Sequence, residues 1–430
     1  MGSEKQYRIE TKALHAGQPI DETMSRGVPV YRTTSFTFKN TEHAANLFAL
    51  KELGNIYSRM MNPTQAVLEQ RVTELEGGAA SVALASGTSA IFNTIVTLAA
   101  SGDEIVSATN LYGGTYTMFD AILPELGITT TFVDQKDTDS FKKAVTDKTR
   151  AFFVETIGNP VLDFTDIEAI AKVAHEHNIP LIVDGTFTTP YLFRAIEHGA
   201  DIVINSLTKW MGGHGAAIGG IVTDSGRFNW NSGRHPLFTQ ADKNYHGLHW
   251  ATDLPEPLAP IAFALRLRTV PLRNLGGCIS PDNSWIFIQG LETLPVRMER
   301  HSSNALEVAK FLKSHKAVSW VRYPGLKGDP SYSLASKYLK KGFGGMVVFG
   351  VKGGYDAGVK VIDNIKLFSH LANVGDAKSL ILHPASTSHS QLTEEQQAAG
   401  GLTPDLIRLS VGLEHPEDLI ESLDEVLNTI

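Results

Sequence analysis

Asp184 and Lys209, an acid and an amine twenty-five positions apart, are the residues of this chain best placed to do chemistry. Asp184 ends the short apolar run Leu181, Ile182, Val183. A second run, Ile202, Val203, Ile204, ends in Asn205, Ser206, Thr208 and Lys209. Both runs have the length and β-branching of buried parallel strands, and residues 190–198 between them have the opening proline and the closing glycine, Gly199, of a helix. A strand–helix–strand unit offers its functional groups at the carboxyl ends of its strands, where open α/β sheets bind ligands. An acid and a lysine placed there suit pyridoxal phosphate. Lys209 would form the Schiff base, and Asp184 would pair with the pyridine nitrogen so that the ring accepts electrons from a substrate carbanion. Ser206 and Thr208 offer hydroxyls to the phosphate. A lone acid and lysine at strand ends are more often solvated loop charges, so the weight falls on the rest of the chain.

Residues 64–76 carry a helical apolar stripe. Residues 81–85 then read as a strand running into Ser86, Gly87, Thr88 and Ser89, followed by an apolar helix over 90–99. A strand, a small-residue turn and a helix N-terminus make an anion site, because free N–H groups and the helix dipole both favour a phosphate. The strand 104–108 leads to Tyr112 beside Gly113 and Gly114, which admit a flat ligand. Tyr112 is either a stacking or proton-transferring ring or a core tyrosine with a satisfied hydroxyl. Strands at 128–133 and 150–155 follow, and Asn159 after them either binds a ligand or shapes the turn before Pro160. Tyr57 and Arg59 precede the helix that Pro63 opens; Arg59 is either a surface ion-pair partner or a bidentate phosphate contact. Far downstream, Arg408 alternates with apolar neighbours on a strand expected at 406–411 and therefore points inward. A buried guanidinium needs an anion, either a structural carboxylate or a substrate α-carboxylate.

The elements that must position these groups divide the chain in three. Residues 1–62 form a turn-rich arm that cannot bury itself alone and is expected to lie across a partner subunit. Residues 63–284 form a cofactor-binding α/β domain. It holds an amphipathic helix at 165–177 with a Thr165/Glu168 capping box, and a strand at 219–223. His175 and His177 face different ways on that helix, so no metal site is expected. Within this domain, 224–281 is a mostly irregular insertion with a helix at 261–267; its Phe228, Trp230, Phe238, Tyr245 and Trp250 favour a packed lid over disorder. Residues 285–430 form a smaller α+β domain, with a long helix from 285 towards 313, strands at 346–351 and 406–411, and helices at 356–365 and 416–428.

Composition is that of an ordinary soluble globular protein: 430 residues, 42% hydrophobic and 20% charged, with a net charge of −8 and scattered basic residues that disfavour a nucleic-acid surface or membrane attraction. The single cysteine, Cys278, excludes an internal disulfide and a cysteine-rich metal site and fits a reducing compartment. The opening MGSEKQYRIETKALHAG has no apolar core of signal-peptide length, and no run of about 18 apolar residues occurs, so a cytoplasmic location is expected. Motifs of the G-x-G-x-x-G, G-x-x-x-x-G-K-[ST], H-E-x-x-H and G-x-S-x-G types are absent. Gly212-Gly213-His214-Gly215 comes nearest to a dinucleotide loop. Ile218 stands where its last glycine is needed, and the run precedes a strand.

Taken together and in order, Tyr57-Ser58-Arg59 with Asn62-Pro63-Thr64, Ala85-Ser86-Gly87, Tyr112-Gly113-Gly114-Thr115, Asn159-Pro160, Asp184 with Thr186-Phe187, Ser206-Leu207-Thr208-Lys209 and Arg408-Leu409-Ser410-Val411-Gly412 resemble the Cys/Met-metabolism family of pyridoxal-phosphate enzymes over almost the whole chain. The resemblance implies a fold-type I, aminotransferase-like α/β architecture, with a large mostly parallel sheet domain and the smaller C-terminal α+β domain. It also implies a homotetramer of two tight dimers. It makes Lys209 the Schiff-base lysine, Asp184 the pyridinium partner and Tyr112 the stacked ring. Ser86, Gly87, Thr88, Ser206 and Thr208 go to the phosphate, with Thr186 and Asn159 also at the cofactor. Tyr57 and Arg59 go to the neighbouring subunit's phosphate; Arg408, Ser379 and Asn159 go to the substrate. Within the family, Tyr245-His246-Gly247-Leu248 and the stretch 383–392 most resemble the O-acetylhomoserine sulfhydrylases. That branch implies exchange of the acetyl group of O-acetyl-L-homoserine for sulfide, with O-succinylhomoserine sulfhydrylases and cystathionine or methionine γ-lyases as alternatives. Lys378 precedes Ser379 where many lyase relatives carry a glutamate, so a lyase preference is not carried over. The joint presence of Lys209, Asp184, Tyr112 and Arg408 argues against a regulatory module without turnover.

Overall fold

A computed structural model describes residues 7–387 and 402–430. Seven strands, β1 (Ala80–Leu84), β2 (Glu104–Ala108), β3 (Thr129–Val133), β4 (Thr149–Glu155), β5 (Leu181–Asp184), β6 (Ile202–Ser206) and β7 (Gly220–Asp224), form one sheet in the order β1-β7-β6-β5-β4-β2-β3. Only β7 runs against its neighbours; the other pairings are parallel. The carboxyl ends of β4, β5 and β6 therefore lie side by side. β4 is buried along its whole length, as expected of a strand covered on both faces.

Several local expectations give way to packing. Residues 190–198 form two short turns of helix, Thr189–Leu192 and Ala195–His198, because Phe193 between them is extended. Its ring stacks on His198 at 4.6 Å and meets Phe164 edge-on at 5.6 Å, contacts a continuous helix would not allow. The helix Ile167–Glu176 is capped by Asp166, whose carboxylate accepts the Ala169 N–H at 3.2 Å. Thr165 instead donates to the Glu155 carbonyl at 2.6 Å, which ties this helix entry to β4. The single helix expected from 285 to 313 is two, Pro281–Glu292 and Leu294–Ser314. They meet at Thr293, with Pro295 in the first turn of the second, where its missing N–H costs nothing.

The first part of the arm lies on its own subunit. Helix Ile9–His15 buries Ile9 and Ala13, and the Arg71 side chain donates to the Ala16 carbonyl at 2.9 Å. Further along, Ile20, Met24, Phe38 and Leu53 stay exposed. The insertion is packed, with Trp230 stacked between Phe238 and Phe263 at 4.2 and 5.8 Å. It contains the expected helix, Ala262–Leu267, which covers the β1–β7 edge of the sheet.

A second sheet, β8 (Val318–Arg322), β9 (Met346–Val351), β10 (Ser369–His370), β11 (Leu380–Leu382) and β12 (Leu406–Ser410), has the order β10-β11-β12-β9-β8. Its core joins Val347, Phe349 and Ile407 to residues of the helices Leu294–Ser314, Gly354–Asn364 and Pro416–Leu427. Among the described residues no helix is long and apolar enough to cross a membrane, and no cluster of three His, Cys, Asp or Glu side chains could hold a metal. Residues 388–392 of the stretch that resembles sulfhydrylases lie outside the described residues.

Candidate active site

A cavity of about 500 Å³ opens over the carboxyl ends of β4, β5 and β6, where the second domain contributes Ala372, Asn373, Val374 and Arg408. Ser86, Gly87, Thr88, Tyr112, Asn159, Asp184, Thr186, Ser206, Thr208, Lys209 and Arg408 all line it. Tyr57, Arg59 and Ser379 do not.

One end is built to take an anion. Ser86 caps the helix Gly87–Leu98 by accepting the Ser89 N–H at 3.0 Å, so the first N–H groups of that helix, which have no partner inside it, stand at the cavity. Two glycines make the approach feasible. A Cβ on Gly87 would come within 2.8 Å of the Ser206 Cβ, and one on Gly220 within 2.2 Å of the Ser86 carbonyl. Ser206 is fixed through its own N–H, which donates to the Thr186 hydroxyl at 2.9 Å. Thr208 exchanges hydrogen bonds with Gly219, donating to its carbonyl at 3.2 Å and accepting its N–H at 3.1 Å.

Lys209 sits in the tight turn that follows β6, its N–H donating to the Ser206 carbonyl and its own carbonyl accepting the Gly213 N–H at 2.7 Å. The amine donates to the Asn373 side-chain oxygen at 2.6 Å. Burial first, and the Arg408 charge second, bring this amine down to about 8, so an appreciable fraction is neutral and nucleophilic near physiological pH. Asp184 accepts the Thr186 N–H at 2.9 Å, and burial raises its carboxyl above the usual range. A cationic ring nitrogen beside it would supply the positive partner that this carboxyl lacks among the described residues.

Tyr112 stands at the N-terminus of the short helix Gly113–Thr117, 51% exposed although its ring is large, because it borders the cavity. Gly114 lets that ring fold back: a Cβ there would lie 2.6 Å from the Tyr112 ring. Arg408, on β12, is 6% exposed and donates to the Asn159 side-chain oxygen at 3.2 Å. Burial lowers it to about 10, and among the described residues no carboxylate pairs with it. The described residues supply no structural carboxylate for it, and an anion entering the cavity would meet a guanidinium that can donate further hydrogen bonds.

Three expected residues lie elsewhere. The Ser379 hydroxyl and N–H both donate to Glu414, at 2.9 and 2.6 Å, and its oxygen accepts the Gly412 N–H at 2.8 Å. These bonds use it to hold the turn after β12. Arg59 lies over the Tyr57 ring, 5.1 Å from its centre, and neither borders this cavity. Two residues were missed. Glu155 ends β4 as Asp184 ends β5, a signal of the same kind; Asn373 sits in a loop of the second domain with no pattern to mark it.

An amine that loses its proton readily, a buried acid, an anion-binding turn and a half-exposed ring around one cavity fit pyridoxal phosphate. The family model described as Cys/Met metabolism PLP-dependent enzyme matches residues 10–428. The chain is 52% identical to the O-acetyl-L-homoserine sulfhydrylase of Leptospira meyeri, covering 99% of this chain and 98% of the relative. It is 50% identical to the homocysteine synthase of Schizosaccharomyces pombe, covering 97% and 98%. A crystal structure from Campylobacter jejuni, described as an O-acetylhomoserine (thiol)-lyase and carrying a pyridoxyl-lysine monophosphate, superposes with a TM-score of 0.94 at 41% identity, covering 98% of this chain and 100% of that one. Geometry and likeness agree, and this chain belongs to the Cys/Met metabolism family of pyridoxal-phosphate-dependent enzymes.

Proposed function

We propose that this enzyme exchanges the acetyl group of O-acetyl-L-homoserine for sulfide, giving L-homocysteine and acetate. The observation that carries the reading is Arg408: a buried guanidinium with no carboxylate partner among the described residues, which shares one cavity with the Lys209 amine and so suits the α-carboxylate of an amino acid. The names of relatives that match almost end to end point to the ester and to the homocysteine product.

Bound pyridoxal phosphate would supply the electron sink that lets charge develop on the substrate carbons. Gly87 and Thr88 would hold its phosphate through their N–H groups, with Ser86, Ser206 and Thr208 beside them. Asp184 would keep the ring nitrogen protonated, and Thr186 would hold Asp184 in place. Tyr112 would stack on the ring. Arg408, with Asn159, would grip the substrate carboxylate so that the Cα–H bond stands across the ring plane. Lys209 then removes the Cα proton, and Tyr112 assists the later transfer from Cβ. Acetate leaves Cγ with its bonding electrons, sulfide adds at the same carbon, and protons return to Cβ and then to Cα. Ile157, Phe187, Ile218 and Val374 narrow the cavity around the reacting carbons and limit water. The aromatic insertion 224–281 contributes nothing to that lining, so the lid role expected of it is not part of this reading.

We further infer a cytoplasmic homotetramer of two tight dimers in which Tyr57 and Arg59 complete the partner's phosphate site. Their placement on an apolar, exposed arm and away from their own cavity supports this. The deciding experiment is a product assay with O-acetyl-L-homoserine, with and without sulfide. Homocysteine and acetate as main products, with little 2-oxobutanoate, are expected. Rapid cleavage of cystathionine or methionine with acetylhomoserine inert would replace this reading with a γ-lyase.

A further inference from the structure

The carboxyl end of β4 carries a group to which the chemistry above gives no task. Glu155 is 6% exposed, lines the cavity and stands opposite Asp184 in the β4–β5 register. It accepts the Tyr112 N–H at 2.7 Å and also the N–H of Asn159. Asp184, its neighbour, is held by Thr186. Among the described residues neither acid forms an ion pair, although the charged groups Lys209 and Arg408 and the Tyr112 hydroxyl border the same cavity. Two buried carboxyls side by side without a cation between them cannot both ionise at low cost, so one keeps a proton. Burial and the Asp184 charge both push Glu155 well above the usual carboxyl range.

We propose that Glu155 is a positioning residue that works as a neutral carboxylic acid, fixing the backbones of Tyr112 and Asn159 while leaving Asp184 as the one anion beneath the cofactor ring. The inference rests on the ring-nitrogen role given to Asp184. A neutral acid holds both N–H groups through an oxygen without adding a second negative charge beside the pyridine nitrogen. Glutamine can do the same. Alanine would orphan two buried donors and free the two residues that frame the ring and the substrate carboxylate.

The infrared difference between wild-type holoenzyme and Glu155→Gln should contain a protonated-carboxyl stretch that the substitution removes. Taking that difference cancels other buried acids such as Glu76 and Asp224, which both proteins share. Glu155→Gln should hold pyridoxal phosphate, and keep kcat, to within about threefold, whereas Glu155→Ala should lose about ten- to a hundredfold in each, the scale set by orphaned buried donors. The proposal is overturned by the absence of that stretch, or by a glutamine variant that melts like wild type yet falls as far as alanine. The underlying reading fails on different evidence: an Asp184→Asn enzyme with full turnover would remove the ring-nitrogen role while the Glu155 stretch persisted.

Discussion

Lys209 and Arg408 share one cavity, and the guanidinium acts on the amine. Burial and the nearby guanidinium favour the neutral amine, so in cofactor-free protein the rate at which Lys209 captures pyridoxal phosphate should rise with pH and level off just above about 8. A rate still climbing past the ordinary lysine range would contradict this. Lys209→Ala should abolish the visible absorbance of the lysine-linked cofactor; a normal band in that variant would exclude it as the attachment point. Arg408→Ala removes the anchor of a charged carboxylate, and the KM for O-acetyl-L-homoserine should rise by about tenfold or more with a smaller change in kcat. An unchanged KM would assign the carboxylate to another group. These residues were legible because a strand end and an inward alternation are local features. The bonds that Ser379 makes to Glu414 through its hydroxyl and its N–H were not legible, because sequence does not bring those two residues together. Asn373 was invisible because only the folded chain carries its loop to the Lys209 amine.

Among elements, the turn that holds Lys209 depends on a helix of the second domain. Arg297, in Leu294–Ser314, donates to the carbonyls of Trp210, Met211 and Gly290 at 2.6, 3.2 and 2.6 Å. Arg297→Met should destabilise the protein by about 2–4 kcal/mol, because the buried Trp210 and Met211 carbonyls lose this donor, and should weaken cofactor retention as the turn loosens. Retention unchanged in a clearly destabilised variant would show that the turn is held from within its own domain. The helix Pro63–Glu76 ends in a buried acid that accepts from Asn205 at 2.6 Å. Burial raises Glu76 to about 8. A carboxyl whose folded pKa exceeds its unfolded one stabilises fully below the unfolded value and loses that contribution as pH rises through the folded one. Stability should therefore decline between about pH 4.5 and about pH 8, and Glu76→Gln should flatten the decline in denaturant titrations. An identical slope in both proteins would rule the residue out as its source. Periodicity located most helices correctly, yet it could not foresee the break at Phe193, which aromatic packing imposes, or the one at Thr293.

For the whole molecule, the division of labour between subunits is the open test. If Arg59 serves the partner's phosphate, mixing Arg59→Ala chains with Lys209→Ala chains should restore activity, since one hybrid site per dimer would be intact. No recovery after verified subunit exchange would place both residues in one chain's site. The alternation of strands and helices made the large domain readable from sequence, because buried parallel strands are continuous apolar runs. The packing of helix Ile9–His15 onto its own subunit was not readable, because few apolar positions mark so short a segment.

The reversal of β7 has a consequence for how this sheet tolerates change. In β4, β5 and β6 the residues that meet the cavity are the last ones, whereas β7 backs the cavity wall with its first, Gly220, which must stay without a side chain where it passes the lining residue Ser86. The last residue of β7, Asp224, lies at the opposite rim, where it accepts the N–H groups of Gly226 and Ala264. A saturation-mutagenesis map scored for activity at constant abundance should therefore show intolerance at the carboxyl ends of three strands and at the amino end of the fourth. Scored for abundance alone, the same map should reverse on β7, with Asp224 the less replaceable end.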